Sequence, residues 1–176
     1  MRIHTSIAAA VVTATSVTVV LASSRPTPAA ATGTCVPSPI HRGAPPSWSA
    51  PAWSDSSPGF KLPYSLASGD SAAAFFWVRL RAGHPIDPAN KILWVMRYPR
   101  HGSPLRILAR YGATPALVAR SSWPADSSPG EIYPSYLNLP KPGCWRLTLR
   151  WSSHIAHLAV AVAPAGSNPS PVTRSR

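Results

Sequence analysis

The chain has 176 residues, a length that accommodates one ordinary domain with additional segments. Its 17 lysines and arginines outnumber its 5 acidic residues, and the formal net charge of +12 favours contact with anionic surfaces. The basic residues are scattered, which excludes a basic block of about five to eight residues of the kind that binds nucleic acid or heparin. A compositional bias toward arginine is the alternative explanation of the charge.

The N-terminus has the pattern of a secretory signal peptide, which predicts export. Arg2 and His4 precede an apolar stretch at residues 7–22 that is followed by small residues. We predict a signal peptide over residues 1–22, with Ala31 as a later candidate cleavage position. The alternative is an uncleaved membrane anchor, but the apolar stretch would span only about 24 Å as a helix, against a hydrocarbon core of about 30 Å.

Residues 23–59 are rich in proline, serine and alanine, and we predict that they form a tail or linker. Such a composition cannot bury enough apolar surface to fold alone. Its two tryptophans, Trp48 and Trp53, are interpreted as residues that pack onto the neighbouring domain, with a role in ligand binding as the alternative.

Cys35 and Cys144 are predicted to form a disulfide, because two thiols in a small exported domain usually pair. In the predicted strand at residues 144–151, one face carries Trp145, Leu147 and alternate apolar residues. Cys144 lies on the other face. We therefore expect the disulfide to attach the N-terminal segment to the outside of the domain.

Residues 60–163 are predicted to form an all-β domain, followed by a disordered tail at residues 164–176. Short β-rich runs are separated by turn signals, and frequent prolines leave no window for a helix of normal length. The predicted strands are residues 61–66, 74–80, 91–98, 105–111, 116–121, 131–139, 144–151 and 154–162. Trp151 to His154 is predicted to be a tight hairpin. The pattern predicts a small immunoglobulin-like β-sandwich of seven or eight strands, with a small open β-barrel as the alternative.

Five segments of the domain resemble secreted proteins of actinobacteria that share a C-terminal Gly-Cys-Trp-Arg-Leu-Thr-Leu strand. They lie at residues 80–85, 90–95, 102–105, 128–135 and 143–149. The resemblance covers roughly residues 60–162 and implies an exported β domain of the cell envelope or the extracellular space. It implies no activity and identifies no functional residue.

One alternative is a cysteine-dependent enzyme in which Cys144 is the nucleophile. His101-Gly102 and Gly143-Cys144 resemble the His-Gly and Ser-x-Gly-Cys elements of L,D-transpeptidases, in which a thiolate attacks with a histidine as base. The chain departs from that motif, since Lys141 replaces its serine and Trp145 a small aliphatic residue. We therefore predict no catalytic residue and keep a transpeptidase-like enzyme as the alternative.

No metal site and no cofactor are predicted from the sequence. His84 and Asp87 share a proline-rich loop, but two ligands are too few for a site. His154 and His157 would lie on opposite faces of one strand.

The arginines of two predicted strands suggest a binding surface. They lie opposite apolar faces, so neighbouring strands would give one cationic outer face. Two tryptophans are candidates for exposed aromatic residues beside it, and the alternative is that they are buried and that the arginines only solubilise the face. The candidate surface residues are Arg106, Arg110, Arg146, Arg150, Trp77 and Trp94.

Together these features predict a monomeric, exported, non-enzymatic binding or structural module of the cell envelope. Its expected partner is an anionic cell-wall polymer, lipid headgroups or an envelope protein, and no specific nucleic acid. A secreted inhibitor or adhesion domain that uses the proline-rich loops is a further alternative. Because β-sandwiches serve many functions, this expectation rests on analogy at the level of the fold.

Overall fold

The computed structural model describes residues 34–53, 62–112, 114, 116–127 and 130–166. The predicted signal peptide and all but the first residues of the predicted C-terminal tail lie outside the described residues. The described part is a sandwich of two four-stranded antiparallel sheets, ordered β1-β2-β3-β6 and β5-β4-β7-β8. The strands are β1 Tyr64–Leu66, β2 Ala72–Phe76, β3 Lys91–Met96, β4 Leu105–Tyr111, β5 Val118–Trp123, β6 Ile132–Tyr136, β7 Gly143–Trp151 and β8 His154–Val162.

The all-β prediction is confirmed, because the described residues contain these strands and three short 3₁₀ helices at Ser47–Trp53, Ser68–Asp70 and Ala125–Ser127. The two sheets share no strand and do not close into a barrel. The predicted hairpin is also confirmed, since Trp151 pairs with His154 across a two-residue turn. Ser152 in that turn has a φ of 47°, which suits the tight turns that connect twisted strands.

The strand order from β2 to β8 is that of an immunoglobulin-like Greek key. The order β2-β3-β6 faces the order β8-β7-β4-β5, and the chain crosses between the sheets after β3, β5 and β6. After β2, residues 80–82 leave the first sheet and pair in parallel with the end of β8. There the Ala163 amide donates to the Leu80 carbonyl and the Ala82 amide to the Ala163 carbonyl, both at 2.8 Å. β1 is an additional edge strand.

The core lies between the sheets and follows from the alternation of apolar side chains. In β7, Trp145, Leu147 and Leu149 are buried, whereas the intervening residues are half-buried or exposed. The predicted core face of this strand is therefore confirmed. The large tryptophans of the core have partners for their indole N–H groups, as buried tryptophans require. Trp94 donates to Ser135 Oγ at 2.8 Å and Trp151 to the Tyr98 carbonyl at 3.2 Å.

The segment that precedes β1 is an integral layer of the domain. We call residues 34–53 the strap. Its Ser38 amide donates to the Ala159 carbonyl of β8 at 2.8 Å, and its His41 amide donates to the Tyr64 carbonyl of β1 at 2.7 Å. The strap thus crosses from the edge of one sheet to the edge of the other. Residues 23–59 are predicted to be a tail or linker, because they cannot bury enough apolar surface to fold alone. The described part of this segment nevertheless packs against the sandwich.

The strap ends on the outer face of the sheet β1-β2-β3-β6. We call this surface the covered face. Its residues form a second hydrophobic cluster, against which Trp48 of the strap packs, as expected for this tryptophan. Members of the cluster are Leu62, Tyr64, Ala73, Phe75, Leu93 and Val95. The Tyr64 hydroxyl also donates to the Ala44 carbonyl at 3.1 Å.

The predicted disulfide joins the strap to β7. Cys35 and Cys144 are bonded, with Cα atoms 5.8 Å apart and a sequence separation of 109 residues. Cys144 is half-buried on the side of β7 that faces away from the core, so the bond lies on the outside of the sandwich as expected. Gly112 makes room for it, because a Cβ at this position would lie 2.3 Å from Cys35 Cβ.

Candidate functional site

The outer face of the sheet β5-β4-β7-β8 carries a group of arginines that we call the cationic face. Across the β4–β7 pair, Arg106 lies directly opposite Arg150 and Arg110 directly opposite Arg146. Arg120 of β5 lies opposite Leu108, between these two pairs. The sequence prediction that neighbouring strands would bring the four arginines of β4 and β7 together is therefore matched by the observed register.

Local sequence explains how these side chains reach one surface. In β4 and β7 the arginines are four residues apart, an even spacing that keeps them on the face opposite the core. Four residues of strand span about 13 Å, and directly opposed residues have Cβ atoms about 5 Å apart. The arginines therefore form two close pairs, separated along the strands by about 13 Å.

The charge of this face is of one sign. The strands β4, β5, β7 and β8 contain no acidic residue. The ion pair between Arg100 Nε and Glu131 Oε2, at 3.6 Å, lies outside these strands. Like charges that face each other across a strand pair destabilise a sheet, so sheet stability does not explain why Arg106 and Arg150 are paired.

One end of the cationic face is concave. A depression of about 300 Å³ is lined by Arg106, Arg150 and the residues of the β7–β8 hairpin, among them Ser152, Ser153 and His154. Its lining thus includes two arginines and three serines, the third being Ser103. This set of donors suits an oxyanion, since guanidinium groups bind carboxylate or phosphate oxygens in a bidentate way.

Two tryptophans of the predicted surface lie elsewhere. Trp94 has an exposed fraction of 0% and belongs to the core, so the hypothesis that it is exposed beside the arginines is wrong. β3 is apolar on both faces, and periodicity therefore does not show which side its tryptophan takes. Trp77 is half-buried and packs against the cluster of the covered face, with Lys91 Nζ 4.9 Å from its ring centroid. It too lies away from the cationic face.

The cysteine nucleophile is not supported by the geometry. Cys144 is bonded to Cys35, and no free cysteine is found in the described part of the chain. His101 lies in the turn before β4, whereas Cys144 lies beside the other end of β4, near Tyr111. The two side chains of the proposed dyad are therefore at opposite ends of the sheet.

The histidines of the described residues do not form a metal-binding cluster with acidic or cysteine side chains. Among residues 34–53, 62–112, 114, 116–127 and 130–166, no group of three or more histidine, cysteine or acidic side chains could hold a metal ion. His84 Nδ1 contacts the Asn138 side-chain amide nitrogen at 2.8 Å. No helix of the described segments has the length and apolarity needed to cross a membrane.

Sequence reasoning missed two parts of the site. Arg120 was not singled out, although its alternation within the predicted strand was a usable signal. The hairpin serines carry no pattern that marks them as part of a site, because only folding brings Ser152 and Ser153 beside Arg106.

No protein-family model, curated protein or solved structure matches this chain. What the fold and the site define is a class: a disulfide-bonded β-sandwich with one covered outer face and one cationic outer face.

Proposed function

We propose that this protein is an exported, non-enzymatic binding module of the cell envelope, and that its cationic face binds an anionic polymer. The observation that carries this proposal is the register of β4 and β7, which sets Arg106 opposite Arg150 and Arg110 opposite Arg146. An extended polymer with phosphate or carboxylate groups meets repeated cationic pairs on such a surface. The depression beside the hairpin holds one anionic group between two guanidinium groups.

A polymer suits this face better than a lipid surface. Peripheral membrane binding combines basic residues with apolar side chains that insert between the headgroups. Among the described residues of β4, β5, β7 and β8, Ile155 is the exposed large apolar residue. A single isoleucine at the margin of five arginines provides little apolar surface for insertion into a membrane. We therefore assign the face to a hydrated polyanion.

Export is supported by two independent features. The N-terminal sequence predicts a signal peptide, and the Cys35–Cys144 disulfide is compatible with an oxidising, extracellular location. Cell-envelope polymers that carry phosphate or carboxylate groups lie in the same compartment.

The test compares two variants with the same net charge. R106Q/R150Q removes the two arginines of the depression, whereas R42Q/R79Q removes two exposed arginines outside the cationic face. Binding to polyphosphate and to polyglutamate is measured by titration calorimetry at low and moderate salt. We expect R106Q/R150Q to lose at least about tenfold in affinity, because hydrogen bonds to charged groups contribute about 1.5–3 kcal/mol each.

The control R42Q/R79Q is expected to lose less than about threefold, since only long-range charge effects are removed, and these are screened by salt. Equal losses in the two variants would show that net charge alone drives binding and would overturn the assignment to this face. Binding to anionic vesicles without binding to either polymer would assign the face to lipid headgroups instead.

A further inference from the structure

A second concave site lies on the side of the sandwich where β5 and β6 are the edge strands. This side cavity has a volume of about 280 Å³. Six of its lining residues are polar, charged or aromatic, namely His84, Arg120, Ser121, Trp123, Tyr136 and Asn138. Its apolar walls come from the margin of the core, where Ile107, Ala109 and Leu139 are almost fully buried.

The opposite side of the sandwich, where the strap bonds to both β8 and β1, also holds a cavity of about 280 Å³, which is lined by residues of the strap, β8 and the end of β2. At the side cavity itself, β5 and β6 each end their sheet. The rings of Trp123 and Tyr136 lie between these edges, with centroids 6.4 Å apart and planes at 58°. Tyr136 is 47% exposed and gives the mouth of the cavity an accessible aromatic surface.

Two buried polar atoms of the cavity residues lack partners within the described part of the protein. They are the Nε1 donor of Trp123 and the Oδ1 acceptor of Asn138. Buried polar groups in folded proteins are almost always hydrogen-bonded, so two unpartnered atoms on residues that line one cavity favour a polar ligand there. The amide nitrogen of Asn138 is already engaged, since it donates to His84 Nδ1 at 2.8 Å. The oxygen of the same amide therefore remains able to accept a hydrogen bond.

We infer that the side cavity binds a neutral sugar, one ring of which enters between β5 and β6. Hydroxyl groups both accept and donate hydrogen bonds, so they match an orphan indole N–H and an orphan amide oxygen in one site. The apolar walls and the two aromatic rings match the C–H faces of a sugar ring. Ser121 and His84 supply further polar groups for a ligand that carries several hydroxyls.

Size and charge narrow the ligand further. The volume of the cavity lies just below the range of about 300–1,000 Å³ that is typical of ligand pockets, which fits a ligand of one ring. Arg120 is its one lining residue with a permanent charge, and it also belongs to the outer face of β5. The inner wall is therefore suited to an uncharged ligand. This site is separate from the depression at Arg106 and Arg150, and the inference does not depend on the proposed function.

The experiment follows the indole N–H signals of the tryptophans by NMR in the full mature chain. Trp123→Phe identifies the signal of Trp123, because it removes this N–H group and retains an aromatic ring. A panel of neutral monosaccharides, namely glucose, galactose, mannose, arabinose and N-acetylglucosamine, is titrated into the protein, with phenol as a one-hydroxyl aromatic probe. Ala119→Leu fills the cavity, and Trp77→Phe, at the covered face, is the matched control.

We expect at least one sugar to move the Trp123 signal in a saturable way. Trp123→Phe should lower the affinity for that sugar by about five- to tenfold, because one hydrogen bond is lost. Ala119→Leu should abolish binding of the sugar. Trp77→Phe and R106Q/R150Q should leave the sugar affinity unchanged, which separates this site from the depression at Arg106 and Arg150. Thermal melting of each variant confirms that it is folded.

Three results would overturn the inference. If no sugar moves the Trp123 signal, water alone satisfies the two orphan atoms. If phenol binds in the cavity and no sugar does, the site is specific for apolar rings. If sugar binding persists unchanged in Ala119→Leu, the sugar binds elsewhere.

Discussion

The two outer faces of this sandwich have opposite chemistry. On the covered face, Ala73, Phe75 and Val95 are at most 2% exposed, because Trp48 of the strap and its neighbours pack over them. On the cationic face, Arg106, Arg120 and Arg150 are exposed to solvent. Both faces belong to four-stranded antiparallel sheets with one shared core between them.

This difference shows that the pattern of apolar and polar residues along each strand determines whether the outer face of a sheet is buried or exposed. β3 reads Lys-Ile-Leu-Trp-Val-Met and is buried at all but its first residue, so both of its sides need cover. β7 alternates apolar and polar residues and needs cover on one side only. An apolar outer face has to be buried by another part of the chain. A cationic outer face stays in solvent, where it is available to a partner.

The largest expected effect comes from cutting the link between the strap and the cationic sheet. C35S/C144S should lower the free energy of unfolding by about 4–5 kcal/mol, since the disulfide closes a very long loop in the unfolded chain. Denaturant unfolding of the variant and of the oxidised wild type measures this loss. An unchanged midpoint would show that the strap holds the covered face without the disulfide.

The second prediction compares one large apolar residue from each of the two outer faces. Trp48→Ala should destabilise the protein by about 2 kcal/mol, because it removes part of the cover from the second hydrophobic cluster. Ile155→Ala on the cationic sheet should change stability by less than about 0.5 kcal/mol, since Ile155 is 49% exposed. Thermal unfolding of both variants tests the contrast, and equal losses would contradict it.

The third prediction concerns the core between the two faces. Burial raises the pKa of Tyr133 to about 12, with Arg100 nearby opposing the shift and Glu131 adding to it. The folded protein then resists ionisation of this phenol more than the unfolded chain does. The contribution of Tyr133 to stability is complete below about pH 10 and is lost as the pH rises toward 12.

Stability measured between pH 9 and pH 12 should therefore fall more steeply in the wild type than in Tyr133→Phe, by at most about 3 kcal/mol. The Tyr133 hydroxyl donates to the Ser103 carbonyl at 2.6 Å, so the phenylalanine variant also loses a hydrogen bond at neutral pH. Parallel pH profiles for the two proteins would show that Tyr133 titrates normally.

The smallest expected effect is the stability change in R106Q/R150Q. Removing two like charges that face each other should leave stability unchanged or raise it by up to about 0.5 kcal/mol. The same substitutions are expected to lower the affinity for the polymer, so binding should weaken without a loss of stability. A clear loss of stability would instead indicate that the arginines hold the fold.

Local pattern was sufficient to predict much of the fold. β4 was predicted with its observed bounds, and β7 and β8 to within one residue, because these strands alternate cleanly and end at turn residues. The second strand was predicted too late, at residues 74–80 against Ala72–Phe76. The chain leaves the sheet after Phe76 to reach the end of β8, and that long-range pairing has no local signal.

The candidate site was predictable only in part for the same reason. The spacing of Arg106 with Arg110, and of Arg146 with Arg150, placed each pair on the outer side of its strand. Their pairing in register depends on which strands are neighbours, which the sequence left open. Cys35 and Trp48 predicted that the strap packs on the outside of the domain, but its composition did not show where it docks, because the apolar surface that receives it lies on β2 and β3.

The most direct test of the account maps the binding of polyphosphate onto the two faces. Backbone amide signals of the isotope-labelled protein are recorded by NMR during a titration at low salt. We expect the largest shifts in β4, β5, β7 and the β7–β8 hairpin, with loss of those shifts at high salt. Shifts concentrated in β1, β2, β3 or the strap would place the binding surface on the covered side and would contradict the central claim.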